Sequence, residues 1–407
     1  MSAVAPARSV VATLGTTQTI AWASSYYLPA VLADPIARDL AVSPGVVFGA
    51  FSLALLVSGV LGPIAGRIID RRGGRDVLCA SNIILAAGLL ALSGAQGAAG
   101  LFAAWLVIGI GIAAGLYDAA FATLVGIYRE RSRQAITGIT LIAGFASTVG
   151  WPITALIESG HGWRAACVFW ALMHLCACLP ANRWLLPGPS AAPAVPAGKD
   201  ANGTASGTDG PSRDDSVAAA GPAARQRRVT MLLLGFVFAA SAFVAGAMAT
   251  QMIRLLEAMG STPAAAIFAG MLIGPAQVLA RIVEFALARR VTPLVSARVA
   301  LAMHPVGALA LLVFGAPAAV LFAMLHGATN GLVTIARGTL PLWLFGPDGY
   351  GALLGRIGGI ARIAQAIAPF AFGIAVDALG GAAVAITAGL MAAAVLALLA
   401  IRRREAA

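Results

Sequence analysis

Runs of about twenty consecutive apolar residues recur along almost the whole chain, and this pattern narrows the fold more than any other. A bilayer core is crossed by roughly 20 apolar residues in helical form. Twelve such windows can be marked, at 9–33, 46–68, 76–95, 101–125, 134–157, 164–186, 229–252, 263–287, 295–315, 318–343, 353–377 and 381–401. In hydrocarbon the backbone must satisfy its own hydrogen bonds, so these windows are expected to be helices. The alternating strands of about ten residues that build a membrane barrel do not appear. Composition agrees: 60% of the 407 residues are hydrophobic and 11% are charged, where soluble proteins carry roughly 25% charged residues. The first window has one nearby cation, Arg8, and no clear cleavage site after it. It reads as a retained span and not as a signal peptide.

The net charge of +11 could be taken for a nucleic-acid footprint, but its placement argues otherwise. Arginines gather in alternate loops: Arg67, Arg71, Arg72 and Arg75; Arg129, Arg131 and Arg133; Arg225, Arg227 and Arg228; Arg289, Arg290 and Arg298; Arg402, Arg403 and Arg404. The opposite loops hold Arg38, Arg164 and Arg254. By the positive-inside rule both termini are expected in the cytoplasm of a multi-pass plasma-membrane protein, a bacterial inner membrane fitting best. No nucleic-acid partner is expected. Cys79, Cys167, Cys176 and Cys178 lie in or beside spans without metal-ligand spacing, so neither a disulfide framework nor a metal is expected.

Residues 187–228 are rich in Pro, Gly, Ala and Ser, with scattered charge and no apolar period. They read as a disordered cytoplasmic linker. Asn202-Gly203-Thr204 within it matches a glycosylation acceptor by accident of composition. Six spans precede the linker, in 1–186, and six follow it, in 229–407. The expected fold is therefore an all-α membrane protein of twelve transmembrane helices in two six-helix bundles. Paired bundles of this kind commonly hold a small-molecule site near the bilayer midplane and rock around it.

Between spans 2 and 3 lies GRIIDRRGGR, residues 66–75. It closely resembles the signature of the major facilitator superfamily in that loop: Gly, two apolar positions, Asp, Arg, any residue, Gly, then a basic residue. Gly66, Asp70, Arg71, Gly73 and Arg75 match, and Gly74 stands where a basic residue is usual. Gly66 permits close helix approach, Asp70 can pair with a cation or cap a helix terminus, and Gly73 suits a tight turn. The alternative is a plain basic turn placed by the positive-inside rule. The loop after span 8, FALARRVTP at 285–293, keeps Arg289 and Arg290 without the Asp and glycines, and Gly162-Trp163-Arg164 adds a further resemblance. The resemblance covers the chain apart from the linker. It implies the major facilitator fold, monomeric secondary transport by alternating access, and a loop that latches the two halves in the outward-open state. It implies neither an enzyme nor a cofactor.

Ionisable residues inside the spans are functional candidates by default, since even the mildest scale sets an arginine at a helix centre about 3 kcal/mol uphill. Gly270, Gly274, Gln277, Arg281 and Glu284 follow one helix face of span 8. That face is expected to look into a water-filled cavity, with Arg281 recognising a carboxylate in bidentate fashion. Otherwise Arg281 pairs with Glu284 or snorkels. Arg362 shares a face with Gly358, Gln365 and Pro369 and is a second anion-site candidate, whereas Arg356 lies close enough to the helix end to snorkel. Arg337 aligns with Asn330 and Thr334 and reads as a gate partner, with Asn330 as a substrate contact. Asp118, below Gly111 and Gly115 in span 4, either carries the coupling proton or neutralises one of the arginines. His174 and His304 read as packing, and His326 as a proton-relay candidate. Tyr26 and Tyr27, with Thr16, Thr17 and Gln18, make span 1 polar enough to line a cavity, although interfacial aromatics are the alternative for the tyrosines.

An arginine in span 8 resembles the monocarboxylate porters and the oxalate–formate exchangers, where such a residue binds the substrate carboxylate. The porters often place an Asp four residues earlier, where Gln277 stands; the exchangers use a second cation in span 11, for which Arg362 is the equivalent. Tyr128, Arg131, Arg133, Ala135, Gly138 and Gly144 partly match the porters at the start of span 5. Span 1 departs from them: it keeps Trp22 but lacks their acidic-glycine-aromatic pattern and has no lysine. The expectation is a transporter of a small organic anion, monocarboxylate-like and proton-coupled through Asp118. The alternative within the superfamily is a proton-coupled drug or metabolite exporter, which Gly144, Gly150 and Pro152 in span 5 partly resemble. A membrane enzyme would need clustered Asp, His or Cys at an interface, and none is evident.

Overall fold

Seven of the twelve spans are single helices in the computed structural model, which describes residues 8–188, 222–288 and 290–401. They are span 2 (Pro44–Arg72), span 3 (Arg75–Ser93), span 7 (Pro222–Ala258), span 9 (Pro293–Phe314), span 10 (Ala319–Phe345), span 11 (Tyr350–Leu379) and span 12 (Val384–Ala400). No strand occurs among the described residues. Most of the expected linker, with Asn202, lies outside them, as do Arg289 and Arg402, Arg403 and Arg404. The helix of span 7 begins at Pro222, seven residues before the expected edge of the second half.

Four spans are broken near their middles. Span 1 divides into Arg8–Ser24 and Pro29–Asp39, because Pro29 has no N–H to continue the ladder and instead opens the second segment. Span 4 divides at Leu116 (φ −86°, ψ −168°) into Gly97–Gly115 and Tyr117–Tyr128. Span 5 is Ser132–Ala143 followed, after Gly144 and Phe145, by a helix that runs from Ala146. Gly162, at φ +81°, separates that helix from span 6. Span 8 divides at Leu272 into Pro263–Met271 and Ile273–Leu287. Pro275 explains the place: its ring excludes the carbonyl four residues earlier. The single stripe expected from Gly270 to Glu284 is therefore interrupted. Gln277, Arg281 and Glu284 stay on one helix, and Gly270 belongs to the other segment.

Each half has its own apolar core. One includes Leu89, Trp105 and Trp170, the other Phe322, Phe372 and Met391. A third cluster joins them, packing Phe121 and Ile136 of the first half with Leu342, Tyr350 and Leu354 of the second. Large apolar side chains such as Leu156, Val313 and Phe370 are exposed on the outside, where lipid is their solvent. Without a hydrophobic force between helices in lipid, small residues and close packing hold them together. Spans 2 and 11 illustrate this. Gly59, Gly62 and Gly66 meet Gly359, Gly355 and Gly351 in antiparallel order, and a methyl on Gly66 would overlap the carbonyl of Gly351.

The end of the molecule that carries the loops after spans 2, 4, 8 and 10 is called the basic face below. The halves meet on its side of the midplane. Spans 2 and 11 pack together there, and so do Ser132–Ala143 with Ile273–Leu287 and Tyr117–Tyr128 with span 11. On the opposite face the ion pairs Arg164–Asp39 and Arg254–Asp377 each stay within one half.

Candidate functional site

The break in span 4 places Asp118 in the first turn of the helix Tyr117–Tyr128, where the positive end of the helix dipole favours a carboxylate. Across the interface, Arg337 Nη2 of span 10 donates to Asp118 Oδ2 at 2.6 Å, and Arg362 Nη2 of span 11 lies 4.0 Å from the same oxygen. Gly358 makes this junction possible, since a methyl there would stand 2.6 Å from Asp118 Oδ2 and 2.7 Å from Arg337 Nη2. Asp118 Oδ1, Arg337 Nε and Arg362 Nη1 have no partner among the described residues. Arg362 is only 5% exposed.

Arg281 occupies a different kind of site. It is 5% exposed, so it does not snorkel. Glu284, its partner in the alternative reading, is instead bound by Arg133 Nη2 at 3.0 Å and by Ser296 Oγ at 2.5 Å. The guanidinium of Arg281 donates to Gly331 O (3.4 Å), Thr140 O (3.3 Å) and Gln277 Oε1 (3.5 Å). All three are long bonds to neutral acceptors. Thr140 lies in the last turn of Ser132–Ala143, so the negative end of that helix supplies part of the field. No carboxylate among the described residues lies within ion-pair distance of Arg281.

Aromatic rings cluster where span 1 meets the break in span 4. Trp22 packs against Tyr26 (centroids 5.0 Å apart), Tyr27 (6.0 Å) and Tyr117 (4.8 Å). Tyr27 and Tyr117 are within Coulombic reach of Arg281, and Tyr26 of Arg362. The Tyr26 hydroxyl accepts from Gln365 Nε2 at 2.5 Å, across the two halves. Gln18 Nε2 donates to Gly115 O, the carbonyl freed by the span 4 break, at 2.6 Å. Asn330 Nδ2 lies 3.0 Å from His326 Nε2, and His326 Nδ1 lies 3.0 Å from His304 Nδ1. Asn330 is thus tied into its own half, although its neighbour Gly331 holds Arg281. His174 is satisfied by Ser24 Oγ and Asn82 Oδ1, each at 2.8 Å. Among the described residues no cluster of three or more His, Cys, Asp or Glu is placed to hold a metal.

The 66–75 loop acts on the other half. Asp70 accepts from the backbone N–H of Gly351 (2.7 Å) and of Ala352 (2.8 Å). These are free donors of the first turn of span 11, so Asp70 caps a helix that belongs to the opposite bundle. Gly73 turns the chain at φ +81°. Arg75 donates to Asp76 at 3.2 Å, and Arg71 is exposed. Two further pairs close the basic face: Arg129 with Asp348, and Arg133 with both Glu284 and the Val291 carbonyl. Arg133 was not legible as a cross-link, for a basic residue at a span end is what the positive-inside rule already demands. Tyr117, Gln365 and Gly358 were also missed as site residues. Their only signal was sequence adjacency to Asp118 or a shared face with Arg362.

The Major Facilitator Superfamily family model matches residues 14–342. The rat (Rattus norvegicus) Monocarboxylate transporter 3 is 29% identical over 122 residues, which are 29% of this chain and 24% of that protein. The chain thus matches about a quarter of the length of that curated relative. Among solved structures, the human organic anion transporter MFSD10 (TETRAN) is 18% identical over 97% of this chain and 100% of its own, with a TM-score of 0.65. The E. coli fucose:proton symporter FucP is 15% identical over 96% and 97%, with a TM-score of 0.68. FucP in the outward conformation gives 13% identity over the same shares, with a TM-score of 0.68.

Proposed function

The chain belongs to the Major Facilitator Superfamily, and we propose that within it the chain is a proton-coupled transporter of a small, monocarboxylate-like organic anion. One observation carries this reading. Arg281, Arg337 and Arg362 stand between the helices with Asp118, while the buried Glu284 is matched by Arg133, so four cations face two carboxylates, an excess of two positive charges. A buried charge without a counter-charge is unfavourable, on the scale of the about 3–5 kcal/mol lost when one partner of a buried ion pair is removed. A carboxylate ligand at Arg281 would offset that cost and gain charge-assisted bonds, while its carbon skeleton meets Trp22, Tyr27 and Tyr117. A cationic drug would raise the excess, which disfavours the exporter reading.

The coupling follows from the same charges. Asp118 holds Arg337 across the two halves on the side where they are closed. A proton on Asp118 would remove that attraction and free Arg337 and Arg362, so the basic face would open when anion and proton are both bound. With the basic face cytoplasmic by the positive-inside rule, the closed interface corresponds to an outward-facing state.

The test is uptake into proteoliposomes. Arg281→Lys keeps the charge but loses the planar fork. It is expected to abolish anion uptake while leaving the unfolding midpoint unchanged. Uptake by this variant at the wild-type rate would remove Arg281 from the binding site.

A further inference from the structure

Away from the charged centre, a groove of about 430 Å³ runs between spans 2, 3 and 4. Ile64 and Ile68 line it from span 2, Val77 and Ala80 from span 3, and Ile110 and Ala114 from span 4. Ile64, Ile68 and Ala80 are exposed, so the groove opens on the lipid-facing surface of the first half. Its basic-face end is formed by Arg72, Gly73 and Asp76. Asp76 accepts from Arg75 at 3.2 Å. Arg72 is exposed and has no carboxylate within ion-pair distance among the described residues. It follows Ile64 and Ile68 at four-residue steps, so one helix face leads from apolar wall to cation.

We propose that this groove seats an acyl chain of an anionic phospholipid, with its phosphate on Arg72. The surroundings favour a lipid over a protein partner, because the lining residues belong to spans whose outer surface meets hydrocarbon. Lipid tails are as apolar as leucine, so chain burial by itself gives little preference over bulk bilayer. The preference must come from the headgroup, and one arginine near the membrane surface is worth roughly a fivefold gain for an anionic lipid. The site also touches the machinery. Ala65 and Ala113 line the groove and, on their other side, a void of about 10 Å³ bounded by Asp118, Gly351 and Gly355. A seated chain would back the thin wall behind Asp118, and its headgroup would adjoin the loop that carries Asp70.

Native mass spectrometry of the full chain, titrated with palmitoyl-oleoyl phosphatidylglycerol or the matching phosphatidylcholine, tests this. Wild type is expected to bind one phosphatidylglycerol about fivefold more tightly than phosphatidylcholine. Arg72→Gln should erase the difference, and Ala80→Trp, which fills the groove from its exposed wall, should remove the tight adduct. Glycerol phosphate should not compete, because it has no chain. Equal binding of the two lipids to wild type, unchanged binding by Ala80→Trp, or competition by glycerol phosphate would overturn the proposal. If Ala80→Trp does not fold, a phosphatidylglycerol with a photoreactive acyl chain decides the matter on wild type. Labelling of peptides at 61–68 and 77–80 supports the groove, and labelling confined elsewhere refutes it.

Discussion

At the scale of single residues, the charged centre turns on Asp118, which Arg337 reaches from span 10 and Arg362 approaches from span 11. Arg281, Arg362, Arg337 and Asp118 each stand out from their neighbours in the sequence. That Asp118 meets Arg337, 219 positions away, follows only from how the bundles dock. The same holds for Glu284: its nearest cation in sequence is Arg281, but the folded chain gives it to Arg133. Gly358 offers a sharp test of the junction. Gly358→Ala would force a methyl into the Asp118–Arg337 contact, and losing that contact should cost about 3 kcal/mol. A lowered unfolding midpoint in detergent is the expected result, with Gly126→Ala, a position with no neighbour near enough to clash, as the silent control. Asp118→Asn removes the negative charge itself. Proton-driven accumulation should then vanish while exchange of substrate across the membrane persists, a contrast read from proteoliposomes with and without a pH gradient.

Among the elements, hydropathy located the spans but not the interruptions that shape the site. Pro29 and Pro275 explain the breaks in spans 1 and 8 and were open to view in the sequence. The break at Leu116 has no proline. It is supported from outside the helix, by Gln18 on the freed carbonyl of Gly115, and so no local pattern announced it. The 66–75 loop was legible as a motif, including a cap for some helix terminus; which terminus was not. In the folded chain that terminus is the start of span 11. Asp70→Asn should weaken this cap by about 1 kcal/mol, shifting the ratio of closed to open basic face roughly fivefold towards open. Spin-label distances between the loops after spans 2 and 10 would show a larger long-distance fraction.

For the molecule as a whole, the division into two six-helix halves follows from the spacing of the apolar windows, and the direction of opening does not. The closed side is defined by pairs that span the halves: Asp70 with the start of span 11, Arg129 with Asp348, Arg133 with Glu284, and Asp118 with Arg337. On the other face the ion pairs stay within one bundle. On the proposed function, alternating access would exchange these cross-links for a bound anion and a proton. The excess of positive charge at the centre makes the strongest demand on the ligand. It is best tested by calorimetric titration of the purified protein with a carboxylate, the matching amide and the matching amine on one carbon skeleton. The account predicts that the carboxylate binds and stabilises the fold, by about 2.7 kcal/mol at a hundredfold excess over Kd. The amide should bind at least tenfold more weakly, the amine should not bind, and Arg281→Lys should abolish carboxylate binding. An amine that binds as tightly as the carboxylate, or a carboxylate that binds Arg281→Lys as it binds wild type, would contradict it.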